Sequence, residues 1–131
     1  MLAAAPARAQ PASLFESHSA RPGGGAMDIS IRETERRPRS SVLTIEIRNI
    51  GSSVGSSFFL LCSVRTLARE RGGFHHVAKL EETPARGQML IGFLDSAGDP
   101  PSGADPAFAA AGAKTQVIEL DQFAPICDTM R

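Results

Sequence analysis

Between Val54 and Arg71 the apolar residues Leu60, Leu61, Val64, Leu67 and Ala68 fall at i, i+1, i+4, i+7 and i+8, one stripe of a 3.6-residue helix. Phe58, Phe59 and Cys62 widen the buried arc, while Arg65, Arg69, Glu70 and Arg71 lie mostly off it, toward water. The hydroxyls of Ser52, Ser53, Ser56 and Ser57 suit the unpaired N–H groups of a first turn. Gly72-Gly73 then supplies a stop, because glycine enters the left-handed conformation without a Cβ clash. Each large apolar side chain buried contributes roughly 1.5–3 kcal/mol. Such a helix anchors a core once a partner surface covers it.

The flanking patterns have period two. Met27 to Glu33 alternates apolar and polar, and Ser41 to Ile50 places Leu43, Ile45 and Ile47 on one face against Thr44, Glu46 and Arg48. Joined by the polar stretch Arg36 to Ser41, they predict an antiparallel hairpin. Beyond the glycines, Phe74 to Leu80 is a strand candidate, and Thr83 to Gly87 carries the Pro and Gly of a turn. Gln88 to Leu94 (QMLIGFL) is apolar throughout, as expected of an interior strand, with Gly92 marking a bulge or a close backbone approach. Ser96 to Lys114 is a long Pro/Gly/Asp loop in which Phe108 to Ala111 is able to form a helical turn, and Thr115 to Leu120 alternates once more.

The predicted class is α+β: a small antiparallel sheet of about five strands with one amphipathic helix packed on one face. The expected boundaries are a leader and flexible linker over 1–26, a single domain over 27–123 and a tail over 124–131. The linker assignment rests on the Pro, Ser, Ala and Gly content that ends in Gly23-Gly24-Gly25.

Fourteen basic residues balance fourteen acidic ones, so no global field draws nucleic acid or an anionic surface. Arg32, Arg36, Arg37 and Arg39 nevertheless form a local basic cluster. Without Tyr or Trp beside it, nucleic-acid binding is disfavoured; the hairpin that bears this cluster, or an edge strand, is the expected contact for a protein partner, and the cluster also suits peripheral membrane association. No apolar run approaches the ~20 residues of a membrane-spanning helix. Ala7-Arg8-Ala9 fits the small-x-small pattern of a secretory cleavage site, which points to a periplasmic or secreted protein, with a cytoplasmic location as the alternative. Cys62 and Cys127 are compatible with one disulfide in an oxidising compartment. The preferred alternative makes Cys62 a small buried hydrophobe of the helix.

Candidate chemistry is sparse. His75 and His76 are adjacent, and neighbours on a strand point to opposite faces, so the pair is poorly arranged for one metal. No cofactor is expected. Glu81, Glu82 and Asp95 flank turns, where paired carboxylates lack the burial that separates their pKa values. The serine-glycine stretch 51–57 precedes a helix but lacks a phosphate-loop lysine, and capping accounts for it. No nucleophile elbow, zincin or dinucleotide motif is present.

The run FLLCSVRTLARERGGFHHVAKLE, through Leu60, Leu61, Val64, Leu67, Gly72 and Phe74, resembles a family of small proteobacterial envelope proteins, often lipoproteins, of unknown function. The resemblance covers about a third of the chain and implies an envelope location and nothing catalytic. Val64 stands where that family has Ala, and with no lipobox cysteine a lipid anchor is not carried over. The expected function is a non-catalytic structural or interaction module of the cell envelope. One alternative is a small enzyme or ligand-binding domain built on the acidic loop 95–105. Another is a cytosolic homodimer paired through strand 88–94.

Overall fold

The two periodicities resolve into strands and a helix at the expected places in a computed structural model that describes residues 14–19 and 27–129. The alternating runs form β2 (Asp28–Arg36) and β3 (Ser40–Asn49), and helix α1 (Ser53–Glu70) follows. Next come β4 (His76–Glu81), β5 (Gln88–Leu94), a short helix α2 (Ala107–Ala111) and β6 (Gln116–Glu119). An additional strand, β1 (Glu16–His18), precedes them, and a helix α3 (Ala124–Thr129) ends the described chain. All pairings are antiparallel, in one open sheet of order β1-β2-β3-β5-β4-β6. The fold is α+β.

Helix α1 begins where its sequence provides a cap: the Ser52 hydroxyl accepts from the Gly55 N–H at 2.9 Å. It ends at the glycine pair, where Gly73, at φ +84°, donates to the Ala68 carbonyl at 3.1 Å. Val64 and Leu67 are buried, and Leu60 packs half-buried against the same core as Ile29, Ile31, Leu43, Met89 and Phe93. Leu61 is half-buried beside them.

The opposite face is covered as well. Val42, Ala78, Leu80, Leu90 and Leu94 lie beneath Phe108 of α2, which is 2% exposed. Gly92 marks this contact. A Cβ there would lie 2.6 Å from a Phe108 ring carbon and 2.8 Å from the Ala104 Cβ, so the glycine permits close approach.

Several expectations are corrected. Part of the expected linker belongs to the sheet, whose sixth strand is Glu16–His18 on β2, next to Phe15, buried at 7% exposure. The rest of the leader and linker, 1–13 and 20–26, lies outside the described residues. The 124–129 part of the expected tail is helical and covalently fixed. Strand 88–94 lies between β3 and β4, with both of its edges paired, so it offers no edge to a second copy. Arg71, expected in water, has a side chain only 9% exposed. Among the described residues no helix is long and apolar enough to cross a membrane.

Candidate functional site

Three arginines of the basic cluster bind groups of the fold itself. Alternation along β2 puts Glu33 on the same face as Ile29 and Ile31, and its side chain is fully buried. Its carboxylate accepts from Arg36 at 2.7 and 2.9 Å, from the Ser41 hydroxyl at 2.5 Å and from the Phe15 N–H at 3.1 Å. Burial alone would raise the carboxyl's pKa. The hydrogen bonds from Arg36, Ser41 and Phe15 outweigh it and hold the group below its ordinary value.

Arg71, at the end of α1, reaches the same place. It donates to the carbonyls of Arg37 (2.7 Å), Pro38 (3.0 Å) and Ser40 (3.0 Å) and to the Ser41 hydroxyl (2.7 Å). Its guanidinium lies 4.8 Å above the Phe93 ring and 3.8 Å from the Glu33 carboxylate. Burial, with Arg36 nearby, pushes its pKa down, partly offset by Glu33.

Asp105 grips the same turn from the opposite face. It accepts from Ser40 Oγ and from Arg37 Nη1, each at 2.8 Å, and from the Ala107 N–H at 3.0 Å. These bonds overcome the effect of burial and keep the carboxyl below its ordinary value. Arg37 also binds Glu35 at 2.8 Å, and Glu35 and Asp105 together raise its pKa. Arg39 donates to the Phe93 carbonyl at 2.9 Å, stacks over Phe74 and approaches Asp95 at 3.5 Å. Of the four arginines expected to meet a partner, Arg36, Arg37 and Arg39 are therefore engaged within the fold. Arg32 is exposed on the other face of β2. The cluster is a clamp on the β2–β3 turn.

The acidic loop is likewise self-contained. Asp99 accepts from the N–H groups of Asp95 and Ser96 and from the Ser96 hydroxyl, and Asp105 belongs to the clamp. His75 pairs with Asp121 at 3.0 Å on an exposed edge. His76 lies on the adjoining strand with its Nδ1 buried and unbonded. Among the described residues no group of three or more His, Cys, Asp or Glu is arranged to hold a metal.

One constellation was not anticipated. His18 Nδ1 lies 3.1 Å from Ser30 Oγ, and its Nε2 lies 3.3 Å from Glu16. This is the order of a nucleophile, a base and an orienting acid, but the environment differs from that of a reactive serine. Ser30 is 7% exposed and its oxygen already accepts from Arg48 at 2.8 Å. Glu16 and His18 are more than half exposed, so no dry pocket strengthens the pair. It is a cross-strand polar row on an open sheet face.

Two open cavities border α1. One, of about 320 Å³, runs between α1 and β6 and is lined by Leu60, Leu61, Val64, Met89, Ile118 and Phe123 among others. Its cation, Lys79, is held by Glu81 at 2.7 Å. The other, of about 580 Å³, includes Phe15, Phe59, Ser63 and both cysteines in its wall. Cys62 and Cys127 form a disulfide, with Cα atoms 5.4 Å apart. Cys62 is thus bonded, where its place in the apolar helix had favoured a small hydrophobe. The periodicity was sound, but α3 supplies the partner and no local pattern announced α3.

The buried charges could have been found. Glu33 occupies an inward position of the β2 alternation, and a charge there demands partners. No family model matches the chain, and no curated protein or solved structure matches it either.

Proposed function

We propose that this chain is an exported, non-catalytic interaction module of the cell envelope. The Cys62–Cys127 disulfide carries the reading, since such bonds persist in oxidising compartments and are rare in the cytosol. The small-x-small pattern at Ala7-Arg8-Ala9 and the resemblance through Leu60 to Phe74 support the same location. The buried carboxylates support the non-catalytic part. Glu33 and Asp105 are held ionised by several donors each, whereas acid–base work calls for a group poised near the working pH.

Of the two expected contact surfaces, the arginine-bearing hairpin and an edge strand, the bonds of Arg36, Arg37 and Arg39 within the fold favour the β6 edge and the apolar cavity beside it. There Val117 is 45% exposed, and among the described residues β6 has a strand, β4, on one side only. Expression of the gene with its upstream sequence, followed by fractionation and denatured thiol counting without reductant, tests the reading. Periplasmic protein lacking free thiols is expected. A cytosolic chain with two free thiols would overturn it.

A further inference from the structure

We propose that the Cys62–Cys127 pair is a site of thiol–disulfide exchange with a dithiol reductant, and that its reduction releases α3 from α1 while the sheet stays folded. The first observation is access. Both cysteines line the open cavity of about 580 Å³, with Cys62 half-buried and Cys127 8% exposed, and this cavity is the route by which a thiolate would reach the pair. Its charged lining is mixed, Arg65 and Arg69 against Glu16, Glu70 and Asp128, and bars neither a neutral nor an anionic reagent.

The second observation is what holds α3. The helix has six residues, and Cys127 is its one buried residue. Ala124 and Ile126 are half-buried, and the remaining positions are exposed. Its outer tie is Arg65 to Asp128 at 3.5 Å, with Asp128 60% exposed. A helix this short is not stable by itself in water, so the covalent bond is its main fastening. Upstream, Leu120 is 1% exposed and its N–H donates to the His75 carbonyl at 2.8 Å, which bounds the loosening at β6. The sheet and its two cores do not pass through α3.

The exchange balances. The reductant's thiolate attacks one sulfur of the pair, and the other leaves as a thiolate that takes up a proton. The reductant's second thiol then displaces the remaining protein sulfur. Two electrons and two protons pass to the protein, which ends with two thiols, and the reductant ends as its own disulfide. The consequence is a reversible latch over the Phe59 side of α1. It depends on the disulfide but not on export, because it is a property of the isolated chain.

The test uses the purified full chain and dithiothreitol. Thiols are counted without denaturant, and amide hydrogen exchange is followed before and after treatment. Two reactive thiols per chain should appear, with exchange in Ala124–Thr129 accelerated by on the order of tenfold or more and protection in β3, β4 and β5 retained. The double variant Cys62→Ser/Cys127→Ser should show the same exchange pattern without reagent. Thiols that appear only in denaturant would overturn the proposal. So would unchanged protection of 124–129 after reduction, loss of protection throughout the sheet, or two free thiols in the chain as isolated. Failure of fractionation to find the chain outside the cytosol would touch the export reading alone.

Discussion

Two peripheral segments of this molecule are fastened to the same core by opposite means. The β2–β3 turn is gripped from both faces of the sheet by buried ionic groups, with Glu33 and Arg71 on the α1 side and Asp105 on the other. Helix α3 rests chiefly on one covalent bond, beside an ion pair whose Asp128 end is 60% exposed. The difference lies in what happens when one component is removed. A buried network leaves its remaining members charged and unpaired in a low dielectric, so loss of one member destabilises the whole fold. A covalent tether on a short, shallow helix leaves behind only a segment that frays.

Breaking the turn should therefore have the largest effect. Glu33→Ala takes both carboxylate acceptors from Arg36, removes the negative charge 3.8 Å from Arg71 and leaves Ser41 Oγ and the Phe15 N–H without their acceptor. A loss of about 3–5 kcal/mol is expected, measured as a fall in the urea midpoint with an unchanged slope. A loss under ~1 kcal/mol would mean that solvent relieves the network and that the two regions do not differ in kind.

Acid should act on the turn in the same direction. The folded pKa values of Glu33 and Asp105 are lowered, so below the ordinary glutamate value of 4.5 the unfolded chain binds protons that the folded chain refuses. The stabilisation is complete above that value and drains away as pH falls through the lowered folded values. The urea midpoint should hold steady down to that range and then drop. The drop should be shallower in Glu33→Gln, measured against its own neutral-pH midpoint.

The smallest effect belongs to the α3 side. Asp128→Asn removes the 3.5 Å pair with Arg65, and because the Asp128 end of that pair is 60% exposed its loss should be below about 1 kcal/mol. Added salt should shrink even this difference while changing the Glu33→Ala deficit little. Equal salt sensitivity in the two variants would erase the distinction between a buried and a surface fastening.

How far the chain could be read in advance follows the range of each interaction. Leu60, Val64 and Leu67 announced α1 because helical burial recurs within two turns, and Ser52 and Gly73 marked its ends because capping is local. Gly92 announced a close approach without naming its partner, since Phe108 lies sixteen residues away. Phe15 and Cys127 were misassigned to linker and tail. Each is a single anchoring residue in a polar or small-residue stretch, and one residue has no period.

Local order thus determined the α+β class, the alternating strands, the single long helix and its stop, because those depend on residues that are neighbours in the chain. Tertiary structure decided the rest: the sheet order with Gln88–Leu94 at its centre, the burial of Arg71 and the tie of Arg37 to Asp105, the covering of the second face by Phe108, and the joining of Cys62 to Cys127. Each of these depends on contacts between residues from different segments of the chain, such as Arg37 with Asp105 and Cys62 with Cys127. Its free energy depends on burial and on the partner's position, and neither can be read from the composition of the segment that makes it.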